Sequence, residues 1–563
     1  MPGAISDSMH VAGTFARAGV LRPSRPDRAL RALVGLHRWG PTLAAGYLGA
    51  AARYPGAAAV IDELGTLTFG EMERRTNSLA RGLVGYGIRE GDGVAIMCRN
   101  HRWFVEASIA CSKLGAHAIY LNTSFAAPQV TQVVKREAPA GVIYDEEFAA
   151  VVSEAVRGRA GFVAWRDEAT AAGRGHPSQA HSAVASAPAR PSLQELIASR
   201  AAEPLTPPSA PGRTVILTSG TTGAPKGANR ASPSSLGPAA ALLSAIPLHA
   251  RENTMIAAPL FHSWGFAHMV LSTALSCTLV LRRRFDPEDT LRAVAEHRAT
   301  ALIVVPVMLQ RILECSPETL RAHDTSPLRV IAASGSALPG PLAQRVMDTF
   351  GDKLYNLYGS TEVAWASIAS PEDLRAAPGT AGRPPRGTVV KILDQDTRET
   401  PPGHSGRIFV GSEMLFEGYT GGGDKARVGA LMSTGDVGHF DAQGRLFVDG
   451  RDDDMIVSGG ENVFPSEVED LLAGVSGVTE VAVIGVADEE FGQRLRAYVV
   501  LEPGAQLSES DLQEHVRSNL ARYKIPREIV FVDELPRNST GKILKRDLDQ
   551  MTSVLSSQDG PSH

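Results

Sequence analysis

The chain has 563 residues, 43% of them hydrophobic, and a formal net charge of −5 at pH 7. Such a composition excludes an intrinsically disordered polymer, and nothing in the bulk charge points to nucleic acid or to an anionic membrane surface. At roughly 100–200 residues per domain, three or four packing units are expected.

The first stretch carries Arg17, Arg22, Arg25 and Arg28 without a continuous apolar run, so it does not read as a secretory signal. Asp7 and Asp27 speak against an organelle transit peptide. The segment Leu30 to Ala52 is moderately amphipathic: it either packs on its own domain or touches a membrane peripherally. No run of about 18 apolar residues follows anywhere, so no transmembrane helix is expected. Cys98, Cys111, Cys277 and Cys315 are scattered, with no C-x-x-C, and read as buried free thiols of a reducing, cytoplasmic compartment.

From Ala59 onward short apolar runs alternate with helical patterns. Thr66 to Arg81 reads as strand, turn and helix, and Val94–Cys98 as a strand. Trp103–Leu114 reads as a helix, and Ala118–Leu121 and Gly141–Tyr144 as further strands. The alternation predicts βα units and a largely parallel sheet. Between about Ala164 and Arg213, Ala, Ser, Pro, Gly and Arg dominate, which predicts a variable linker with one helical patch near Leu193–Ala202. Four apolar runs then end in small or polar residues, at Thr218, Pro306, Ser334 and Tyr358. Ligands of open α/β sheets bind beyond the carboxyl ends of strands, so these loops are expected to converge. From about Arg386 short β segments follow (Val389–Leu393, Arg407–Val410, Arg445–Val448), and then a small α/β unit from Met455. In that unit Pro465–Leu472 and Ser508–Ala521 read as helices, and Glu480–Val486 and Arg496–Leu501 as strands.

The most informative string is Thr218-Ser219-Gly220-Thr221-Thr222-Gly223-Ala224-Pro225-Lys226-Gly227, directly after an apolar strand. Its glycines admit close backbone approach, its hydroxyls and N–H groups can cradle an anion, and Lys226 adds a mobile charge. It is not a Walker A loop. Pro225 stands where the second Gly is required, and Gly227 where a Ser or Thr must meet Mg²⁺. The string resembles the signature loop of the adenylate-forming superfamily, which includes acyl- and aryl-CoA synthetases, luciferases and peptide-synthetase adenylation domains.

Further motifs carry that resemblance in order. Tyr358-Gly359-Ser360-Thr361-Glu362 is similar to the family segment in which the aromatic ring stacks on adenine, the Thr meets the α-phosphate and the Glu holds Mg²⁺. Gly335, Ser336 and Ala337 match the loop that borders adenine, and Asn356 is counted with the nucleotide-binding positions. In Ser433-Thr434-Gly435-Asp436 the Asp matches the acceptor of the ribose hydroxyls, although T-G-D alone is a common turn. In the long motif from Gly450, Arg451 matches a ribose contact and Asp453 the interdomain hinge. Gly459 and Gly460 match the wall of the CoA pantetheine tunnel. Lys542 matches the mobile catalytic lysine; the chain has only nine lysines, so two of them falling on family positions is suggestive. His262, Trp264, Gly265 and Phe266, with Val305 and Pro306, resemble the lining of the acyl pocket, His262 flanking the carboxylate. For each of these alone, a core aromatic cluster with one satisfied His is as good a reading.

The resemblance spans about Pro55 to Leu548 and implies a multi-subdomain α/β domain with a small barrel-like part, plus a small mobile C-terminal α/β domain. The expected division is an arm at 1–54, an AMP-binding domain at 55–450 with its linker at 164–213, a hinge at 451–455, a small domain at 456–548 and a disordered tail at 549–563. The implied chemistry uses ATP and Mg²⁺ to convert a carboxylic acid, a medium- or long-chain fatty acid or an aryl acid, to acyl-AMP. Lys542, Thr361, Glu362 and His262 are the implied catalytic residues. CoA is the expected acceptor, because the interval Glu362–Asp436 leaves no room for the insertion of ligases that load a carrier protein. A carrier-protein acceptor and a homodimer stay open. One departure is Gly429-Ala430-Leu431-Met432, where relatives have an acidic-Gly-Trp segment.

Overall fold

A computed structural model describes residues 2–20, 25–167, 190–218, 226–230, 235–420, 422–452, 454–458, 461–488, 492–538 and 541–548. The chain divides into two compact units. The first comprises Met1–Val304, Pro317–Val330 and Glu413–Asp424, the second Val305–Ser316, Ile331–Ser412 and Lys425–His563.

The first unit begins with three helices, Pro2–Arg17, Pro26–Trp39 and Leu43–Arg53. One sheet has six strands in the order Ala160–Val163, Gly141–Tyr144, Gly93–Met97, His117–Tyr120, Thr214–Thr218 and Lys226–Arg230. All neighbours are parallel except the last pair. These strands are apolar over most of their length because helices cover both faces, as parallel strands require. A second sheet runs Ala301–Val304, Asn253–Ile256, Thr278–Val280, Ala58–Asp62, Gly65–Thr68. The helix Arg102–Leu114 packs against strands of both sheets and is buried almost all round. Its charged groups are therefore paired: Arg102 with Asp62, Glu106 with Arg75, and Lys113 with Glu73 at 2.9 Å.

In the second unit the parallel strands Val330–Ala333 and Leu354–Tyr358 are joined by the antiparallel Ser367–Ala369. The barrel-like part is a five-stranded antiparallel sheet of Val389–Leu393, Gly406–Gly411, Leu431–Phe440, Arg427–Val428 and Leu446–Arg451. The C-terminal sheet pairs Val478–Asp488 with Gly492–Leu501 and adds Glu528–Phe531 in parallel. The helices Pro465–Ala473 and Glu509–Asn519 bury Val468, Leu472, Leu512 and Val516 with that sheet's residues in a core of their own.

The α/β architecture expected from the pattern is present, with strand limits shifted by at most four residues. The T-G-D segment lies inside the ten-residue strand Leu431–Phe440. The helical patch expected near Leu193–Ala202 is present as the packed helix Leu193–Ala198, with Leu193 and Leu196 buried. One reading is corrected. Cys315 is only half-buried, whereas Cys98, Cys111 and Cys277 are buried. Ser219, Gly220, Thr221, Thr222, Gly223, Asp453, Gly459 and Gly460 lie outside the described residues.

Candidate active site

Sheet register builds the centre of the site. Leu431–Phe440 and Leu446–Arg451 are antiparallel, and Asp436 is the direct partner of Arg451. The Arg451 Nε lies 3.6 Å from Asp436 Oδ1. Tyr358, which ends the strand Leu354–Tyr358, donates its hydroxyl to Asp436 Oδ2 at 2.5 Å. Thr434 fixes the approach: its hydroxyl donates to the Ile408 carbonyl at 3.2 Å and accepts from the Asp436 N–H at 3.0 Å. Burial raises the Asp436 carboxyl above the ordinary carboxylate range. The Tyr358 hydrogen bond and the charges of Arg451, Lys542 and Lys425 act in the opposite direction. Burial, with the Asp436 charge, pushes the Tyr358 phenol well up, which keeps it a hydrogen-bond donor.

Lys542 sits on a turn built by its own motif. The Asn538 N–H donates to the Lys542 carbonyl and the Asn538 side chain accepts from the Lys542 N–H, both at 2.9 Å. The Asn538 carbonyl accepts from the Gly541 N–H at 2.9 Å. Arg537 pairs with Glu480 at 2.9 Å and donates to the Gly541 carbonyl at 2.6 Å. Gly541 has φ 78, and a Cβ there would overlap Val307. The Lys542 residue is exposed, yet its charge acts on Asp436.

The neighbouring loops carry the other positions of the second unit that the motifs lead one to expect at a nucleotide. Ser360 accepts from the N–H groups of Glu362 (3.2 Å) and Val363 (3.4 Å), a hydroxyl turn that shapes the segment containing Thr361. Glu362 is buried, as is Asn356, whose Oδ1 is a buried acceptor without a partner. A ligand N–H, such as an adenine amino group, fits that acceptor. Gly335 approaches Val305, the residue before the helix Pro306–Leu313, and Ser336 and Ala337 follow it in the same loop.

In the first unit, Thr218 and Lys226 are register partners at the ends of two antiparallel strands, so Lys226 and Gly227 begin a strand rather than close a loop. The Lys226 ammonium lies 5.2 Å from the centre of the Tyr419 ring. His262 precedes the helix Ser263–Ala274, whose Gly265 is required because a Cβ would overlap the Pro259 carbonyl oxygen. Trp264 is buried and donates its indole N–H to the Val304 carbonyl at 3.0 Å. Phe266 packs on Tyr120, ring centres 5.0 Å apart. Burial pushes the His262 imidazole down to about 4, so it is neutral at pH 7.

Sequence reasoning missed several groups. Lys425, whose Nζ lies 3.3 Å from where a Gly435 Cβ would stand, adds a third cation beside Asp436. The rarity of lysine was its only signal. Arg537 and Asn538 lie inside a motif read only for its lysine. His268 is buried against Trp264 at 4.2 Å with both ring nitrogens unpartnered. Cys98, His101 and Asp145 form a buried cluster outside every motif. There Asp145 pairs with His101 Nε2 at 2.8 Å and accepts from the Arg99 N–H at 2.9 Å, while His101 Nδ1 is buried without a partner.

A family profile described as "AMP-binding enzyme" matches residues 49–420, and one described as "AMP-binding enzyme C-terminal domain" matches residues 467–542. The chain belongs to the AMP-binding enzyme family. It is an AMP-forming acid–thiol ligase, as its ordered motifs imply. A feruloyl-CoA synthase of Amycolatopsis sp. is 33% identical to this AMP-binding enzyme over 501 residues, covering 88% of this chain and 96% of that protein. The long-chain-fatty-acid–CoA ligase FadD13 of Mycobacterium tuberculosis is 31% identical over 494 residues, covering 87% and 93%. Among solved structures, the ATP-bound chimera B1 of RpMatB and BxBclM superposes with a TM-score of 0.79 at 26% identity, covering 91% of this chain and 98% of that one. Among the described residues no helix is long and apolar enough to cross a membrane.

Proposed function

We propose that this AMP-binding enzyme is a CoA ligase for an apolar carboxylic acid, in the first instance a medium- or long-chain fatty acid. ATP and Mg²⁺ activate the acid, and CoA receives it. The observation that carries the reading is the cluster of Asp436, Arg451, Tyr358 and Lys542, a carboxylate held among cations beside an unsatisfied acceptor on Asn356.

In the first half-reaction a carboxylate oxygen bonds to the α-phosphorus of ATP as the bond to the bridging oxygen breaks, releasing pyrophosphate. Negative charge grows on the phosphoryl oxygens, so positioning and fixed cations do most of the catalysis. Asp436 accepts from the ribose, Arg451 holds it in place, Tyr358 flanks the base and Thr361 meets the α-phosphate. Lys542 delivers its charge to the α-phosphate, and Lys226 with residues 219–223 receives the pyrophosphate. Glu362 holds Mg²⁺, which when bound neutralises phosphate charge. In the second half-reaction the thiol sulfur attacks the acyl carbon, AMP departs with the electron pair, and the thiol proton passes to solvent. Lys542 withdraws by rotation about Asp453, and the thiol enters along Gly459 and Gly460.

Trp264 and Phe266 support an apolar acid, with neutral His262 at its carboxylate end. A second reading, an aryl acid, is favoured by His268, whose unpartnered nitrogens suit a polar ring substituent, and by the likeness to feruloyl-CoA synthase. Pyrophosphate release across aliphatic and aryl acids, with and without CoA, tests both. Turnover that needs CoA and rises with aliphatic chain length supports the first reading. Turnover confined to aryl acids replaces it, and release unaffected by CoA but dependent on an acyl-carrier protein overturns the acceptor.

A further inference from the structure

The helix Pro26–Trp39 packs the wrong way round for a helix that serves only its own domain. Its inward face is made of small residues. Ala29 and Ala32 are partly covered, Gly35 is buried, and a Cβ on Gly35 would lie 2.5 Å from the Leu48 side chain. Its large apolar residues face solvent instead: Leu30 is 62% exposed, Leu33 64% and Val34 46%. These three positions, i, i+3 and i+4, share one helical stripe, and Leu36 beside them is 40% exposed. Single exposed leucines need no explanation, but a contiguous stripe on one helix does.

Charge says what covers it. Residues 25–39 hold four arginines and one aspartate, a net +3 with His37 neutral; the chain as a whole is −5, so the remainder is −8. The stretch that exposes its leucines is thus net cationic while the remainder of the chain is net acidic. Arg25 and Arg31 share Asp27 at 3.3 and 2.7 Å, Arg28 donates to the Arg53 carbonyl at 3.2 Å, and Arg38 is exposed. The outward surface is a convex ridge about 21 Å long, not a groove. An apolar ridge flanked by guanidinium groups matches the headgroup–acyl boundary of an anionic bilayer, where leucines enter the acyl region and arginines meet phosphates.

We propose that the outward face of helix Pro26–Trp39 docks this enzyme on anionic phospholipid membranes. The docking stands independently of which acid is activated. It joins a ligase of apolar acids to the phase in which such acids dissolve.

The test is flotation of the full chain with phosphatidylcholine vesicles, with and without phosphatidylglycerol. The expected result is capture on phosphatidylglycerol vesicles in about 0.1 M salt and loss of capture in about 1 M salt, where the screening length falls from about 10 to about 3 Å. Leu33→Ser/Val34→Ser should weaken partition at least about tenfold on the same vesicles. Arg38→Glu should weaken it about tenfold on anionic vesicles only. These positions are exposed, and unchanged thermal unfolding checks that the variants fold. Equal capture on neutral vesicles, or capture unaffected by the Leu33/Val34 change, overturns the proposal. Absence of capture together with a concentration-dependent dimer that the Leu33/Val34 change dissociates assigns the face to a second copy, and overturns it too.

Discussion

Asp436→Asn separates what the site does for ligand from what it does for stability. The carboxylate accepts from the Tyr358 hydroxyl at 2.5 Å and lies 3.6 Å from Arg451 Nε. Asparagine keeps one acceptor for Tyr358 but loses the charge and the second oxygen that the proposed ribose contact uses. Hydrogen bonds to charged groups contribute about 1.5–3 kcal/mol each, so nucleotide affinity should fall roughly 10- to 150-fold. Stability should move the other way. The folded carboxyl titrates above its unfolded value because burial penalises the anion. The folded state therefore binds the proton more tightly. The ionised group costs stability at every pH above the unfolded value, and that cost disappears as pH falls through the folded value. Asparagine removes the cost, and Arg451, whose side chain is 31% exposed, stays hydrated without its partner. The expected outcome is an apo protein that melts no lower than wild type at pH 8 and binds ATP at least tenfold more weakly. Calorimetric ATP titration and thermal melts at pH 5 and pH 8 measure both. A clear fall in the apo melting temperature at pH 8 would refute the argument, because it would make Asp436 a stabilising partner of Arg451 and Tyr358.

Lys542→Ala should lower acid-dependent pyrophosphate exchange by a factor of at least about 10², the order of one lost charge stabiliser, while thioester formation from supplied acyl-AMP is spared; equal losses in both assays contradict its assignment. Gly541→Ala, at φ 78 against Val307, should strain the Lys542 turn by roughly 1–2 kcal/mol and slow the same half-reaction about tenfold or more, with nucleotide affinity nearly unchanged by calorimetry. His262 and His268 are held down by burial to about 4 and about 3, against an ordinary value of 6.5. The unfolded chain thus binds more protons in that window, so stability rises with pH from about 3 to about 6.5; chemical melts of His268→Leu should show a flatter acid limb, and an unchanged limb removes His268 as a cause. Lys425→Ala should weaken ATP binding several-fold and leave acid binding alone, and an unchanged ATP affinity takes Lys425 out of the site.

How much of this was legible in sequence depended on whether a residue's role is carried by a local string or by register. Tyr358 and Lys542 sit in short motifs whose resemblance to a family implies their roles, and the α/β class followed from apolar periodicity. Asp436 is marked in sequence by its carboxylate alone, because T-G-D in isolation is a common turn and does not show its setting. Only the pairing of Leu431–Phe440 with Leu446–Arg451 makes it strand and brings Arg451 opposite it. Lys425 was invisible for a related reason: its place beside Asp436 comes from the fold of the sheet, and no local pattern marks it.

The helix Pro26–Trp39 shows the same limit from the other side. Leu30 to Ala52 reads as moderately amphipathic in sequence, but a hydrophobic period fixes only which residues share a face, not which face turns inward. Gly35 decides that: the close fit of Leu48 against it commits the small-residue side to the domain and leaves Leu30, Leu33 and Val34 outside. Gly35→Leu therefore tests the orientation itself. A large side chain there cannot fit against Leu48, so the helix should detach from Leu43–Arg53. Proteolysis between residues 25 and 40 should then accelerate while the rest of the chain stays folded. Unchanged protection would mean that something other than this contact holds the helix, and would remove the reason for its leucines to face outward.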